Sequence, residues 1–316
     1  MEACRESAFS LDLPQYSQLC YQYDRERAAL WCYLNPPRPC STKILATEVR
    51  DFQIRVATYL NSAPSVRDGL RYMVMASATP QFFNLGGDLE LFVRLISDRD
   101  RDALYEYGRT GIDVVYDNWT HLGIPTLTTI SLVQGVALGG GFEGALSCNV
   151  FIAEECAQMA FPEMLFNMFP GMGAYSLLTR RIEPFRAERM MRTGRQYRAR
   201  ELWEMGVVDV LASDGEGVHA VNDFIRRHGH SRNAQEAIQQ VRQRVNPITR
   251  QELVDVLEIW VDAAMRLTAR DLRVMERIAA AQELLDAPKD ETSASSRDHS
   301  AEAETPVSVL RVAAGG

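Results

Sequence analysis

The sequence predicts an α/β protein, and three observations carry that reading. Strand-like runs alternate with helical patterns between about residues 70 and 175. The run Thr126-Leu127-Thr128-Thr129-Ile130-Ser131-Leu132-Val133 is rich in β-branched residues and reads as a central strand. Soon after it come Gly139, Gly140 and Gly141, a glycine cluster that reads as the opening of a helix.

The other elements follow from local chemistry. Ala29-Leu30-Trp31-Cys32-Tyr33-Leu34 reads as a strand that stops at the proline-rich turn Asn35-Pro36-Pro37-Arg38-Pro39. A first helix is expected over about 43–61, then a buried strand through Tyr72-Met73-Val74-Met75-Ala76, then a loop, FFNLGGDL. Residues 99–122 lack proline and place Leu104, Tyr107, Gly111, Val114, Val115, Asn118 and Leu122 at helical spacing, and Gly123 and Pro125 end that helix. From about 216 strand signals fade, and helical patterns cover 218–228, 233–245, 249–268 and 270–286. The expected organisation is therefore an α/β core over 1–215 including the N-terminal strand segment, a helical region over 216–286, and a disordered tail over 287–316. That tail contains KDETSASSRDHSAEAETP, too polar to offset its ordering entropy by burial.

Composition removes several classes. A formal charge of −8 disfavours nucleic acid as a partner, because phosphate neutralisation needs a positive field. No stretch approaches the roughly 18 uncharged apolar residues of a membrane span, and the N-terminus lacks the apolar segment of a secretory signal. Cys4, Cys20, Cys32, Cys40, Cys148 and Cys156 show no C-x-x-C spacing and read as reduced thiols, which points to a cytoplasmic protein. The histidines have no metal-ligand spacing, no G-x-S-x-G elbow occurs, and Lys43 and Lys289 lie far from any glycine loop, so no metal and no cofactor is expected.

The chemistry-bearing stretch is Leu138-Gly139-Gly140-Gly141-Phe142-Glu143-Gly144, followed after a strand pattern by Phe161-Pro162-Glu163. Each glutamate falls in the first turn of a predicted helix, where an acid alone is ordinary because the helix dipole favours it. The setting is less ordinary. Consecutive glycines expose backbone N–H groups at a helix start, where a developing oxyanion can sit, and Gly86-Gly87 can aim a second N–H at the same point. Two donors and two carboxylates form a complete set for thioester chemistry. Gly139, Gly141 and Gly144 also match a dinucleotide fingerprint, but Glu143 inside that cradle would repel a pyrophosphate.

These residues resemble the crotonase (enoyl-CoA hydratase/isomerase) superfamily, whose strand, G-x-D-L loop, long helix, strand, G-G-G-x-E helix, strand and P-E helix recur here in order from about 70 to 175. Within it they are most similar to the bacterial diffusible-signal-factor synthases, which make cis-2-unsaturated fatty-acid signals. The shared features are Phe83-Asn84-Leu85-Gly86-Gly87-Asp88-Leu89, Phe166-Asn167, Phe169-Pro170-Gly171-Met172-Gly173, Glu258-Ile259-Trp260-Val261, Asp271-Leu272 and Met275-Glu276-Arg277, with the N-terminal Asn35-Pro36-Pro37-Arg38-Pro39. Two departures from the wider family stand out: Asn84 where many relatives carry a small residue, and Ala174 where a glycine is common.

The resemblance implies a crotonase-like ββα spiral core with a helical C-terminal region. It implies Glu143 and Glu163 as catalytic acids, the N–H groups of Gly87 and Gly140 as an oxyanion hole, and Gly86, Leu138, Gly139, Met172 and Trp260 around the substrate. It further implies dehydration of a 3-hydroxyacyl thioester of acyl carrier protein or coenzyme A, hydrolysis to the free unsaturated acid, a sensor-kinase partner, and a homotrimer or hexamer. An ordinary enoyl-CoA hydratase or isomerase, and a catalytically silent regulator of this fold, are the competing readings.

Two further features invite functional expectations. Leu253, Leu257, Trp260, Ala264 and Leu267 share one helix face, suited either to lining an acyl tunnel or to plain packing. Arg180, Arg181, Arg186, Arg189, Arg192, Arg195, Arg198 and Arg200 crowd one segment, which could dock an acidic carrier protein or be an ordinary solvated surface.

Overall fold

Two β-sheets and a shell of helices form the described part of the chain, residues 11–62, 67, 69–79 and 81–286 of a computed structural model. Cys4 and the tail expected over 287–316 lie outside these residues. The chain enters through the hairpin β1 (Leu19–Asp24) and β2 (Ala29–Leu34), then α1 (Lys43–Ser62). Three strand–strand–helical turns follow. The first is β3 (Tyr72–Ser77), β4 (Phe82–Asn84), α2 (Leu89–Ser97) and α3 (Arg101–Trp119). The second is β5 (Thr128–Val133), β6 (Val136–Leu138) and α4 (Gly140–Ser147), and the third is β7 (Val150–Glu154), β8 (Gln158–Ala160) and a 3-10 turn over Pro162–Phe166. After these come α5 (Ala174–Leu178), α6 (Pro184–Thr193), β9 (Tyr197–Arg198), α7 (Ala199–Glu204), β10 (Val210–Ala212), α8 (Gly217–His230), α9 (Arg232–Val245), α10 (Arg250–Ala264) and α11 (Ala269–Asp286).

Each turn of this spiral sends one strand to each sheet. The larger sheet has the order β1-β2-β3-β5-β7-β10 and the smaller the order β4-β6-β8-β9, so the fold is the α/β spiral expected. All neighbours in the large sheet beyond the β1–β2 hairpin run parallel, with Tyr72 opposite Thr128 and Ile130 opposite Val150. Both faces of that sheet are covered. Tyr72, Val74, Ile130, Leu132 and Ile152 pack with Val221 and Ile225 of α8, while Met73, Met75 and Val133 point into the main core. A parallel sheet buried on both faces favours apolar and β-branched sequence without alternation, and β3 (YMVMAS) and β5 (TTISLV), with at most one partly exposed residue each, are legible on that ground.

Helix ends follow side-chain chemistry. Asp88, Asp100 and Thr249 each accept a backbone N–H at the start of α2, α3 and α10. The long helix expected over 99–122 stops at Trp119, because His121, Leu122 and Gly123 all turn to positive φ. Two other expectations need correction. FFNLGGDL is not one loop: its first three residues form β4 and its last begins α2. Pro162-Glu163 opens a 3-10 turn rather than an α-helix, and Asn167 ends it with φ 60°.

The C-terminal helices close over the spiral, α10 against α3 and α11 against α2. Leu253, Leu257 and Ala264 of α10 are fully buried. Leu257 packs into the space that Gly108 leaves on α3, and a methyl group on Gly108 would collide with it. Trp260 occupies the corresponding space beside Gly171. Among the described residues no helix is long and apolar enough to cross a membrane, and Cys20, Cys32, Cys40, Cys148 and Cys156 are free thiols.

This packing sets the first test. Leu257→Ala removes a buried side chain at a close helix crossing, with an expected loss of about 3 kcal/mol of unfolding free energy. Urea denaturation of the variant reads that loss directly. A change near zero would mean that α10 does not pack on Gly108.

Candidate active site

The two glycine loops come together because β4 and β6 pair in the small sheet and each runs into a glycine turn. Backbone approaches backbone there: a methyl group on Gly140 would lie 3.8 Å from both the Gly87 nitrogen and the Gly86 Cα. Gly141 touches the Asn84 carbonyl so closely that no side chain fits, and Gly139 sits at φ 48° with the Glu163 carboxyl against its Cα face. The N–H groups of Gly87 and Gly140 have no protein acceptor among the described residues. Two backbone donors thus converge on one small region.

Glu143 and Glu163 face the same region from α4 and from the 3-10 turn. Glu143 is 1% exposed, and its Oε1 accepts the N–H groups of Met172 and Ala174, both at 2.8 Å. Burial pushes its carboxyl up to about 7, against the pull of those two hydrogen bonds. Glu163 is half-buried as a residue, yet its Oε2 is shut from solvent with no hydrogen-bond partner. Its carboxyl is held well above the ordinary range, first by burial and then by the charge of Glu143. Desolvation and the charge of Glu143 thus favour the protonated form of Glu163, whereas two backbone donors favour the charged form of Glu143.

Both glutamates line a cavity of about 140 Å³, together with Gly86, Gly87, Gly139, Gly140, Met172 and Trp260. Leu138, expected beside the substrate, does not line it; the side chain is fully buried in β6 and only its carbonyl reaches Gly86. The tunnel face expected on α10 contributes Trp260 alone, because Leu253 and Leu257 are taken up by packing on Gly173 and Gly108. The remaining apolar wall comes from residues no motif marks: Leu45, Ala46 and Val49 of α1, Gly111, Val114 and Val115 of α3, and Ile278 of α11. Of these, Gly111, Val114 and Val115 sit on the periodic face of α3, and that periodicity was the only available signal.

Most arginines of the 180–200 segment are paired. Arg180 bonds Glu252, Arg181 bonds Asp209, Arg186 bonds Glu183, Arg192 bonds Glu188, Arg195 bonds Glu201 and Arg200 bonds Glu155. The segment is a mixed-charge surface rather than a single-sign patch. Glu154, Cys156 and Asp214 gather near β7, but Glu154 is engaged by Gln134 and Gly217, and Asp214 by the Cys156 N–H.

The chain and its ββα spiral match known proteins. A family model described as enoyl-CoA hydratase/isomerase covers residues 58–290. The chain belongs to that family. The fatty acid oxidation complex subunit alpha of Vibrio cholerae is 26% identical over 215 residues, which is 67% of this chain and 29% of that one. An enoyl-CoA hydratase, echA8, of Mycobacterium bovis is 39% identical over 171 residues, 54% of this chain and 61% of that one. The chain thus spans less than two thirds of the length of either relative. Among solved structures, enoyl-CoA hydratase from Bacillus halodurans superposes with a TM-score of 0.69 at 19% identity, over 79% of this chain and 96% of that one. Pseudomonas aeruginosa DspI superposes with a TM-score of 0.60 at 22% identity, over 80% of this chain and 98% of that one. Both share the fold.

The raised carboxyls make stability depend on pH. The unfolded chain releases these protons near 4.5, whereas folding raises the Glu143 carboxyl to about 7 and the Glu163 carboxyl well above its ordinary range. Between those values the folded state binds more protons, so their contribution to stability falls as pH rises. Glu163→Gln should flatten this decline and raise Tm by several degrees at about pH 8, with little change at about pH 5. Parallel Tm–pH curves for the two proteins would mean that Glu163 is not buried as described.

Proposed function

We propose that this protein adds water to, or removes it from, the 2,3-position of an acyl thioester. One observation carries the reading: two desolvated carboxyls and two unengaged backbone N–H groups share one apolar cavity. With the thioester oxygen between the N–H groups of Gly87 and Gly140, charge developing on that oxygen meets fixed donors in a dry setting. In the hydration direction Glu143, as carboxylate, takes a proton from water as its oxygen bonds to C3. The π electrons shift onto the thioester oxygen as an enolate, and the enolate then takes the proton of Glu163 at C2. Dehydration is the reverse, with Glu163 removing the C2 proton and Glu143 protonating the departing hydroxyl. The division of labour rests on hydrogen bonding: Glu143 has two backbone donors that favour its charged form, and Glu163 Oε2 has none.

The finer reading is a diffusible-signal-factor synthase, in which the same site then hydrolyses the cis-2-enoyl thioester to the free acid. It is supported by the sequence likeness across Phe83–Leu89 and the Trp260 region. The cavity also suits a hydrocarbon chain: one of comparable size, about 150 Å³, takes up benzene in another protein. The thioester carrier is coenzyme A or an acyl carrier protein, and the paired arginines give no extra support to the larger carrier. A cytoplasmic setting, a sensor-kinase partner and a trimer or hexamer belong to this reading.

The test is mass spectrometry of products from 2-enoyl and 3-hydroxyacyl thioesters, on coenzyme A and on carrier protein. Interconversion of the two is expected, and Glu143→Gln or Glu163→Gln should lower its rate about 10²–10⁴-fold while the protein stays folded. Release of free unsaturated acid separates the synthase from an ordinary hydratase. No turnover of any thioester by the unaltered protein would instead favour a catalytically silent regulator.

A further inference from the structure

The loop that carries the Gly87 N–H has all its other N–H groups tied down, and two side chains do much of the tying. The Leu85 N–H donates to the Pro39 carbonyl at 2.6 Å, and the Gly86 N–H donates to Asn84 Oδ1 at 2.8 Å. The Asp88 N–H donates to the Tyr107 hydroxyl at 3.3 Å. Gly87 alone, in this run from 85 to 88, keeps its N–H for the cavity. The segment around Ser41 is fixed by the same two residues. The Tyr107 hydroxyl donates to the Ser41 carbonyl, the Ser41 hydroxyl donates to Asn84 Oδ1 at 3.2 Å, and the Ser41 N–H donates to the Gly86 carbonyl at 2.7 Å.

Asn84 also reaches the other glycine loop, since its backbone carbonyl lies against Gly141. It is 3% exposed and Tyr107 is 8% exposed, so both sets of bonds are protected from water. Tyr107 is in turn held by an edge-on contact with Phe92, ring centroids 5.2 Å apart. Phe92 packs beside Gly87, where a methyl group would strike its ring. Packing and hydrogen bonding thus fix one peptide unit from several sides.

We infer that Asn84 and Tyr107 are positioning residues that hold the Gly87 N–H on the thioester oxygen, and that they act on the enolate more than on the bound substrate. The inference rests on the proposed thioester chemistry. Neither side chain needs to touch the reacting atoms. Tyr107 both accepts from Asp88 and donates to Ser41, so removing its hydroxyl takes one hydrogen bond from the donor loop and one from the segment beside it. Asn84 accepts from Gly86 and Ser41 through one oxygen, and Asp supplies the same acceptor where Ala does not. A donor displaced by about 1 Å costs on the order of 10²-fold in rate, because stabilisation depends on alignment with the developing charge.

The test uses Tyr107→Phe, Asn84→Ala and Asn84→Asp in the full chain, with a 3-ketoacyl coenzyme A thioester as probe. That ligand can enolise, and its ultraviolet spectrum reports the bound enolate directly. The expected result is a fall in kcat of about 10–10²-fold for Tyr107→Phe and Asn84→Ala, with KM changed less than about threefold. The enolate fraction of the bound probe should fall in parallel, and Asn84→Asp should recover part of both. A thioether analogue without the carbonyl should bind all variants equally. Circular dichroism and Tm identify a variant that has lost its fold, and in that case Tyr107→Phe, which keeps the ring packing, decides the question. Normal enolate formation in Tyr107→Phe overturns the positioning role. Failure of the unaltered protein to bind or enolise the 3-ketoacyl probe, whether carried on coenzyme A or on acyl carrier protein, overturns the thioester reading instead, so the two failures are distinct.

Discussion

Burial of two carboxyl groups in one apolar cavity is the constraint around which the rest of the site is arranged. A lone carboxylate in such a place would cost several kcal/mol of lost hydration, and a second one adds repulsion. The chain meets that cost unevenly. Met172 and Ala174 turn their N–H groups onto Glu143, whereas Glu163 has no donor on Oε2 and is pushed toward its protonated form by burial and by the Glu143 charge. Asymmetry in donors gives two chemically identical side chains different electrostatic settings.

That asymmetry depends on elements distant in sequence. Glu143 comes from the helix that opens after the small sheet's second strand, and its donors come from the start of α5, where Gly173 stands at φ 115°. Glu163 can approach only because Gly139 has no side chain, so the first glycine of the cluster makes space for the acid while the second offers its N–H. The third admits the Asn84 carbonyl. Three neighbouring glycines therefore have three separate reasons, and the sequence motif shows the helix opening and the exposed N–H groups but neither of the two close contacts.

The larger elements were legible where burial imposes a period. Tyr72–Ser77 and Thr128–Val133 are almost wholly buried strands of apolar and β-branched residues because both sheet faces are covered, and the four C-terminal helices announce themselves by helical spacing over more than ten residues each. Phe82–Asn84, Val136–Leu138 and Gln158–Ala160 were not legible, since three residues carry no period. In the site, the glutamates and glycines could be read from local composition. Tyr107 could not, because it looks like one more apolar position on α3, and its hydroxyl gains meaning only when Ser41 and Asp88 arrive beside it. Leu138 shows the converse case, apolar and inside a motif yet consumed by packing, and for Leu257 packing decides between the two uses its helix face allowed.

The cavity wall is completed by residues late in the chain. Trp260, Ile278 and Gln282 line it, and Gln282 donates through Nε2 to the Leu85 carbonyl beside the first glycine pair. Both glutamates and both glycine loops thus lie ahead of the two helices whose side chains finish the enclosure, and the dryness of the hollow depends on a part of the chain that contributes neither of those carboxyls and neither glycine donor.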